Sequence, residues 1–123
     1  MTDVPFDFGF FEKFLIPLKR FRAGEKIFQE GEAGQAMYVV LEGKVDITLG
    51  QTVLETVGLH GIFGEMALIE HALRSADAIA KAATEVAVID TNAFVKLVSN
   101  NPHFSLYVMR QMASRVRRMN TRL

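Results

Sequence analysis

Hydrophobic and polar positions alternate through the middle of the chain. Val45, Ile47 and Leu49 are separated by polar residues, and residues 37–41 form a continuous apolar run. A period of two predicts short strands with one buried face. Other apolar positions of this region are Val53, Val57, Ile79, Val86 and Val88. Frequent glycines separate these runs, and Glu42-Gly43 and Leu49-Gly50 are predicted hairpin turns. Residues 16–90 therefore predict an antiparallel sandwich or barrel.

Helical spacing precedes this β region. Residues 1–15 are rich in phenylalanine, and Phe10, Phe11, Phe14 and Leu15 share one face of a predicted helix. We interpret this segment as an amphipathic helix that packs on the body of the domain. A partner-binding or membrane-surface helix is the alternative, although the segment lacks the basic polar face of an interfacial helix. The phenylalanines are Phe6, Phe8, Phe10, Phe11 and Phe14.

Helical spacing also returns after residue 90 and continues over residues 91–120. Asp90 or Thr91 is predicted to cap a helix that runs through Val98. Asn101 and Pro102 then supply the N-cap and first position of a longer helix. Its apolar residues recur at intervals of about four, namely Phe104, Val108, Met112, Val116 and Met119.

Length, charge and composition narrow the class of protein. The 123 residues predict a single domain over 1–123, and a formal net charge of zero argues against global affinity for nucleic acid or membrane. The absence of cysteine excludes disulfides and thiolate metal sites. No apolar run has transmembrane length, and the first residues do not resemble a signal peptide, so a cytoplasmic location is expected.

Enzyme chemistry is not indicated by the sequence. His60, His71 and His103 have no spacing typical of metal ligands. Neither a nucleophile triad nor a carboxylate pair is recognisable. We therefore expect a binding protein with no metal and no cofactor.

Residues 64–76 combine features that suit a phosphate and a sugar hydroxyl. Gly64 permits a close approach of backbone to ligand, and a short apolar helical turn begins after it. Arg74 supplies a planar cation for phosphate oxygens. Glu65 cannot bind a phosphate, so its simplest partner is a hydroxyl.

Three segments in order resemble the cyclic nucleotide-binding domain of bacterial catabolite-activator-type regulators, cyclic-nucleotide-dependent kinases and gated channels. Residues 23–32 resemble the family's first hairpin, residues 37–47 its central strands, and residues 63–76 its phosphate-binding cassette. The resemblance covers about residues 16–118. It implies a mainly β, α+β fold. The expected core is an antiparallel β-barrel of the jelly-roll type, with an N-terminal helix, a short cassette helix and two C-terminal helices.

The resemblance also implies roles for individual residues. Glu65 would bind the ribose 2′-hydroxyl and Arg74 the cyclic phosphate. Backbone N–H groups around the cassette would complete the phosphate cradle, and Ser75 would contact phosphate or base. The full implied set is Gly64, Glu65, Met66, Ala67, Arg74, Ser75 and Ala76. The expected function is a cyclic nucleotide receptor for cAMP or, as second choice, cGMP.

The last helix has several possible roles in this interpretation. Met112 or Arg115 is a candidate lid over the base, since the family often caps the base from this helix. Met109, Met112 and Val116 suit the core, such a lid or a homodimer seam, and the core is the preferred interpretation. The basic C-terminus is read as a helix end that complements its own dipole, not as a nucleic-acid site.

Two cassette positions depart from the family pattern. Leu73 replaces a proline that usually precedes the arginine, and His71 replaces a small residue. Without proline the loop loses a fixed φ. These departures support the alternative that the chain is a ligand-free interaction module. In either case a protein partner or effector is expected, and its identity is unknown.

Overall fold

The computed structural model describes residues 8–121 of the chain. Four helices and eight strands follow one another in this part. Their bounds are α1 Phe10–Lys13, β1 Leu18–Phe21, β2 Lys26–Phe28, β3 Met37–Glu42, β4 Val45–Leu49, β5 Thr52–Val57, β6 Ile62–Phe63, α2 Glu65–Glu70, β7 Asp77–Ala80, β8 Thr84–Ile89, α3 Thr91–Asn100 and α4 Pro102–Thr121.

The strands form two antiparallel sheets of four strands each. One sheet has the order β1-β8-β3-β6 and the other β2-β7-β4-β5. Consecutive strands alternate between the sheets at several points, which is typical of jelly-roll connectivity. The expected mainly β, antiparallel jelly roll with flanking helices is confirmed, in the form of two sheets.

Two of the predicted hairpins are wrong. Glu42-Gly43 joins β3 to β4, which lie in different sheets, so this turn is a corner and not a hairpin. Residues 23–32 contain only β2, which pairs with β7, while β1 pairs with β8. By contrast, Leu49-Gly50 does connect the paired strands β4 and β5.

Two groups of buried side chains hold the layers together. The helix-side cluster joins the helices to the first sheet, and the inter-sheet cluster fills the space between sheets. Phe11 of α1 is only 1% exposed, so α1 packs on the body of the domain as predicted. Leu15 was wrongly predicted on that helical face, because α1 ends at Lys13 and Leu15 is 88% exposed. Phe6 lies outside the described residues. The helix-side cluster is Phe11, Ile16, Met37, Val39, Ile62, Leu68, Ala87, Ile89, Leu97, Phe104 and Val108.

The C-terminal helices begin where the sequence predicts. The Asp90 side chain accepts a hydrogen bond from Ala93 N at 2.8 Å, and Asn101 Oδ1 accepts one from His103 N at 3.1 Å. Both are N-cap contacts that satisfy otherwise unpaired donors.

The predicted stripe of α4 turns away from the core along its length. Phe104 and Val108 are buried, but Val116 and Met119 are more than half exposed. A four-residue step advances about 40° beyond a full helical turn, so such a stripe rotates off the buried face. Within residues 8–121, none of the helices has the length and apolar character needed to cross a bilayer.

Candidate functional site

A left-handed glycine places the first acid of the site. Gly64 has φ 77° and ψ 7°, a conformation that glycine adopts without strain, and it forms the N-cap of α2. The chain therefore turns sharply between β6 and α2. Glu65, the first residue of α2, is directed into the protein and is only 5% exposed.

A cavity of about 520 Å³ lies beside this turn. Its walls come from the cassette, from β2, β4 and β5, and from the end of α4. This volume is in the range of sites for small ligands. The lining residues are Phe28, Ile47, Leu54, Glu55, Phe63, Gly64, Glu65, Met66, Ala67, Leu73, Arg74, Ser75, Ala76, Arg115, Arg118 and Met119.

Arg74 is a buried cation in this cavity. It is 6% exposed, and its Nη1 and Nη2 donate to the carbonyls of Gly64 at 3.0 Å and Ala36 at 2.9 Å. Its Cζ lies 4.2 Å from the centroid of the Phe28 ring. Among residues 8–121, no carboxylate is within ion-pair distance of Arg74. A guanidinium has five N–H donors, so donors and a full positive charge remain for an anion.

Glu65 supplies a carboxylate with two different oxygens. Oε2 accepts a hydrogen bond from Arg115 Nη1 at 2.9 Å. Oε1 is buried and has no hydrogen-bond partner within the described part of the chain. A buried acceptor without a donor is costly, so this oxygen is suited to a ligand hydroxyl.

Arg115 connects α4 to both sides of the cavity. Besides Glu65, its Nε lies 2.9 Å from a Glu55 carboxylate oxygen and its Nη2 donates to Ile62 O at 2.7 Å. Arg118 Nη2 also reaches Glu55, at 3.0 Å. Burial acts to lower the pKa of Arg115, but the charges of Glu65 and Glu55 outweigh it and raise that pKa, so the side chain stays cationic.

All seven cassette residues predicted from the sequence line the cavity. Of the two candidate lid residues, Arg115 lines it and Met112 does not, because Met112 packs against the helix-side cluster. Met119 borders the cavity in its place.

Sequence reasoning missed Glu55, Phe28 and Arg118, which also line the cavity. Glu55 and Phe28 lie on strands outside the cassette, and nothing in the sequence shows that their side chains turn toward it. The basic run that contains Arg118 is visible in the sequence, but it does not reveal which arginine turns inward.

A metal centre has no support in the described residues. No group of three or more His, Cys, Asp or Glu side chains within 8–121 is close enough to hold an ion. His60 lies elsewhere, stacked on Phe8 at 3.7 Å between ring centroids.

Comparison with known proteins relates this geometry to one family. The sequence profile of the cyclic nucleotide-binding domain matches residues 18–101. A cyclic AMP receptor protein from Thermus thermophilus is 30% identical, over 98% of this chain and 56% of that protein. A cGMP-dependent protein kinase from Eimeria tenella is 35% identical, over 64% of this chain and 8% of the kinase. The chain spans about half the length of the curated bacterial regulators it matches.

A solved structure supports the same assignment. It comes from work on a cyclic-GMP-dependent signalling pathway that regulates bacterial phytopathogenesis. It is 27% identical with a TM-score of 0.74, over 88% of this chain and 89% of that chain. Fold, cassette and sequence profile agree, and the chain therefore belongs to the cyclic nucleotide-binding domain family.

Proposed function

We propose that this chain is a receptor domain for a 3′,5′-cyclic nucleotide and that it binds its ligand without chemical change. One observation supports the proposal above the others. The same cavity holds a buried arginine with donors to spare and a buried carboxylate oxygen without a donor. A cyclic phosphate next to a free 2′-hydroxyl presents the matching acceptor and donor within one small molecule.

Arg74 binds the cyclic phosphate in this proposal, and Glu65 Oε1 accepts the 2′-hydroxyl. The backbone N–H groups of Met66, Ala67 and Ala76 contribute to the phosphate cradle, and Ser75 contacts phosphate or base. Their position along the cavity wall supports these roles.

The charge of the cavity favours a cyclic phosphate over an open one. Three arginines and two glutamates line the cavity, which leaves one formal positive charge. A cyclic phosphodiester carries one negative charge, whereas a phosphate monoester carries about 1.5 to 2 near pH 7. We expect 5′-AMP to bind more weakly than cAMP, because its second negative charge would be buried without a compensating positive charge.

The base lies in the remaining part of the cavity, beside α4. Leu54 and Met119 offer apolar surface there, and Arg115 and Arg118 offer guanidinium planes that stack on aromatic rings. We favour cAMP as the ligand because the Thermus thermophilus relative, named a cyclic AMP receptor protein, aligns with 98% of this chain. cGMP is the second choice, since the Eimeria tenella kinase and the phytopathogenesis structure are named for it.

Ligand binding is coupled to α4 through Glu65. Oε1 takes the ligand while Oε2 keeps Arg115, so one carboxylate joins the nucleotide to the last helix. The nucleotide shifts the position of α4 by as much as its affinities for the two positions differ.

We propose that a second copy of the chain packs against α4 in a homodimer and that the displacement of α4 changes this contact. On α4, Leu106, Met109, Ala113, Val116 and Asn120 are exposed and recur at alternating intervals of three and four. This is the spacing of a coiled-coil seam, in which one asparagine favours a two-stranded register. The substitution Val116→Glu should convert the dimer to a monomer, as measured by light scattering. A wild-type protein that is monomeric at high concentration would exclude this seam.

A thermal-melt titration with cAMP, cGMP and 5′-AMP tests the proposed function. A ligand at 100 times its Kd adds about 2.7 kcal/mol of stability, which raises the Tm by several degrees in a domain of this size. We expect a shift with a cyclic nucleotide and a much smaller one with 5′-AMP. No shift at millimolar concentration would contradict the proposal and favour the ligand-free interaction module.

Substitution of Arg74 identifies the site. Arg74→Ala should weaken cyclic nucleotide binding by about 2–4 kcal/mol, roughly 30- to 1000-fold, because a charge-assisted phosphate contact is lost. Arg22→Ala, at an exposed arginine outside the cavity, is the matched control. Unchanged affinity in the Arg74 variant would refute the site. Equal affinity for cAMP and 2′-deoxy-cAMP would refute the role of Glu65.

A further inference from the structure

The loop between β2 and β3, residues 29–36, is bonded to the backbone of Arg74. Gly31 N donates to Arg74 O at 2.8 Å, and Arg74 N donates to Glu32 O at 2.9 Å. Nearby, Glu30 N donates to Asp77 Oδ1 at 2.7 Å. Because these bonds run in both directions, the loop and the arginine segment hold each other in place.

Gly34 brings this loop against the Arg74 side chain. A Cβ at Gly34 would lie 2.8 Å from Arg74 Nη2, 3.0 Å from Nε and 3.1 Å from Cζ. These distances are shorter than the separation of about 3.5–4.0 Å at which heavy atoms attract. Gly31 needs glycine for its φ of 86°, but Gly34 does not have a positive φ. Space for the guanidinium is therefore the reason for glycine at position 34.

The guanidinium has little freedom to move away from an added methyl group. It is bonded to Ala36 O and Gly64 O and covered by the Phe28 ring. A Cβ on Gly64 would also lie 2.9 Å from Nη1. A displacement away from Gly34 must therefore break at least one of these contacts.

We propose that Gly34 is a positioning residue for the ligand phosphate. It does not line the cavity, and it acts by fixing the place from which Arg74 reaches into the cavity. This inference rests on the proposed function, because it assigns Gly34 to the phosphate end of that site. The loop of residues 29–36 then supports Arg74 from outside the cavity.

Gly34→Ala tests the inference, with Gly58→Ala as the matched control. Gly58 has no positive φ, and a Cβ there meets no heavy atom within 4 Å. Isothermal titration with cAMP and cGMP should give an affinity about 10- to 100-fold lower for Gly34→Ala, since loss of a hydrogen bond between charged groups has effects of this size. Gly58→Ala should stay within about twofold of wild type. Equal affinities for the two variants would overturn the inference.

A double-mutant cycle separates positioning from general damage. In an Arg74→Ala background the methyl group at position 34 meets no guanidinium, so Gly34→Ala should have no further effect on affinity. Thermal melts without ligand test the same contact through the stability of the fold. Gly34→Ala should lower the Tm by about 5 °C in wild type and by about 1 °C or less in the Arg74→Ala background. An equal fall in Tm in both backgrounds would refute the contact between position 34 and Arg74.

The two proposals fail in different ways. Wild type that binds neither nucleotide refutes the proposed function and the phosphate role with it. The ligand-free melts then still decide whether Gly34 fixes Arg74. Wild type that binds, together with a Gly34→Ala variant that binds equally well, refutes the role of Gly34 and leaves the proposed function intact.

Discussion

Arg115 forms polar contacts from α4 to three residues of the rest of the domain, and its removal should destabilise the fold. Its guanidinium binds the carboxylates of Glu65 and Glu55 and the carbonyl of Ile62. With Arg115 in place the Glu65 carboxylate is only 6% exposed, and in Arg115→Ala it would lose its charged partner. The substitution thus leaves a buried anion without compensation.

The expected loss follows from the burial of the two partners. Removal of one member of a fully buried ion pair costs about 3–5 kcal/mol. The Arg115 side chain is 23% exposed, so water can replace part of the interaction, and we expect about 3 kcal/mol. For a domain of this length, this corresponds to a fall in Tm of about 12 °C.

Urea denaturation of four variants measures this loss and its cause. Arg117→Ala, which removes an exposed arginine from the same helix, should change the free energy of unfolding by less than about 0.5 kcal/mol. Glu65→Gln should cost less than Arg115→Ala, because the amide keeps an acceptor and carries no charge. The double variant Arg115→Ala/Glu65→Gln has no unpaired buried anion. Its free energy of unfolding should therefore exceed that of Arg115→Ala by at least about 1 kcal/mol. The reasoning is refuted if Arg115→Ala is no more destabilised than Arg117→Ala.

Two further predictions concern residues in left-handed conformations. Leu15 has φ 56° and is 88% exposed, so Leu15→Gly should relieve backbone strain and add about 0.5–1 kcal/mol of stability in urea denaturation. Leu59→Gly, at an exposed leucine without positive φ, should instead lose stability. Burial lowers the pKa of His60 below 6.5, so the neutral form stabilises the fold above pH 6.5 and stability falls as the pH drops through the folded-state pKa. His60→Asn tolerates the φ of 65° and cannot titrate, so its free energy of unfolding should not show this fall, and parallel pH profiles would contradict the assignment.

Local patterns predicted the elements of the fold better than their partners. The helix starts at Asp90 and Asn101 follow from capping chemistry within a few residues. The turn at Glu42-Gly43 was also recognised, but its strands lie in different sheets. Gly43 has φ 87°, a conformation that hairpins and corners both use, so the glycine marks a turn without identifying the strands that pair.

In the candidate site, too, residues of a local motif were predicted and contacts between distant residues were not. Glu65 and Arg74 belong to one short motif, and its resemblance to the family's cassette, together with the two preceding segments, predicted both at one site; both line the cavity. Arg115 was a candidate lid over the base, but its contact with Glu65 joins residues 50 positions apart, and no pattern in the sequence predicts that ion pair. Gly34 was likewise visible only as a loop glycine, because its reason is the guanidinium of a residue 40 positions later.

Adjacent residues on α4 connect the ligand site with the proposed dimer seam. Arg115 faces the cavity and bonds to Glu65, while Val116, about 100° further around the helix, is 55% exposed. A helix moves as a rigid unit over such a short distance, so any rotation that follows the ligand at Arg115 must also turn Val116. Nucleotide binding and subunit association should therefore be thermodynamically linked, and each must change the affinity of the other by the same factor. A dimer dissociation constant that is identical with and without saturating nucleotide would refute this linkage between ligand binding and subunit association.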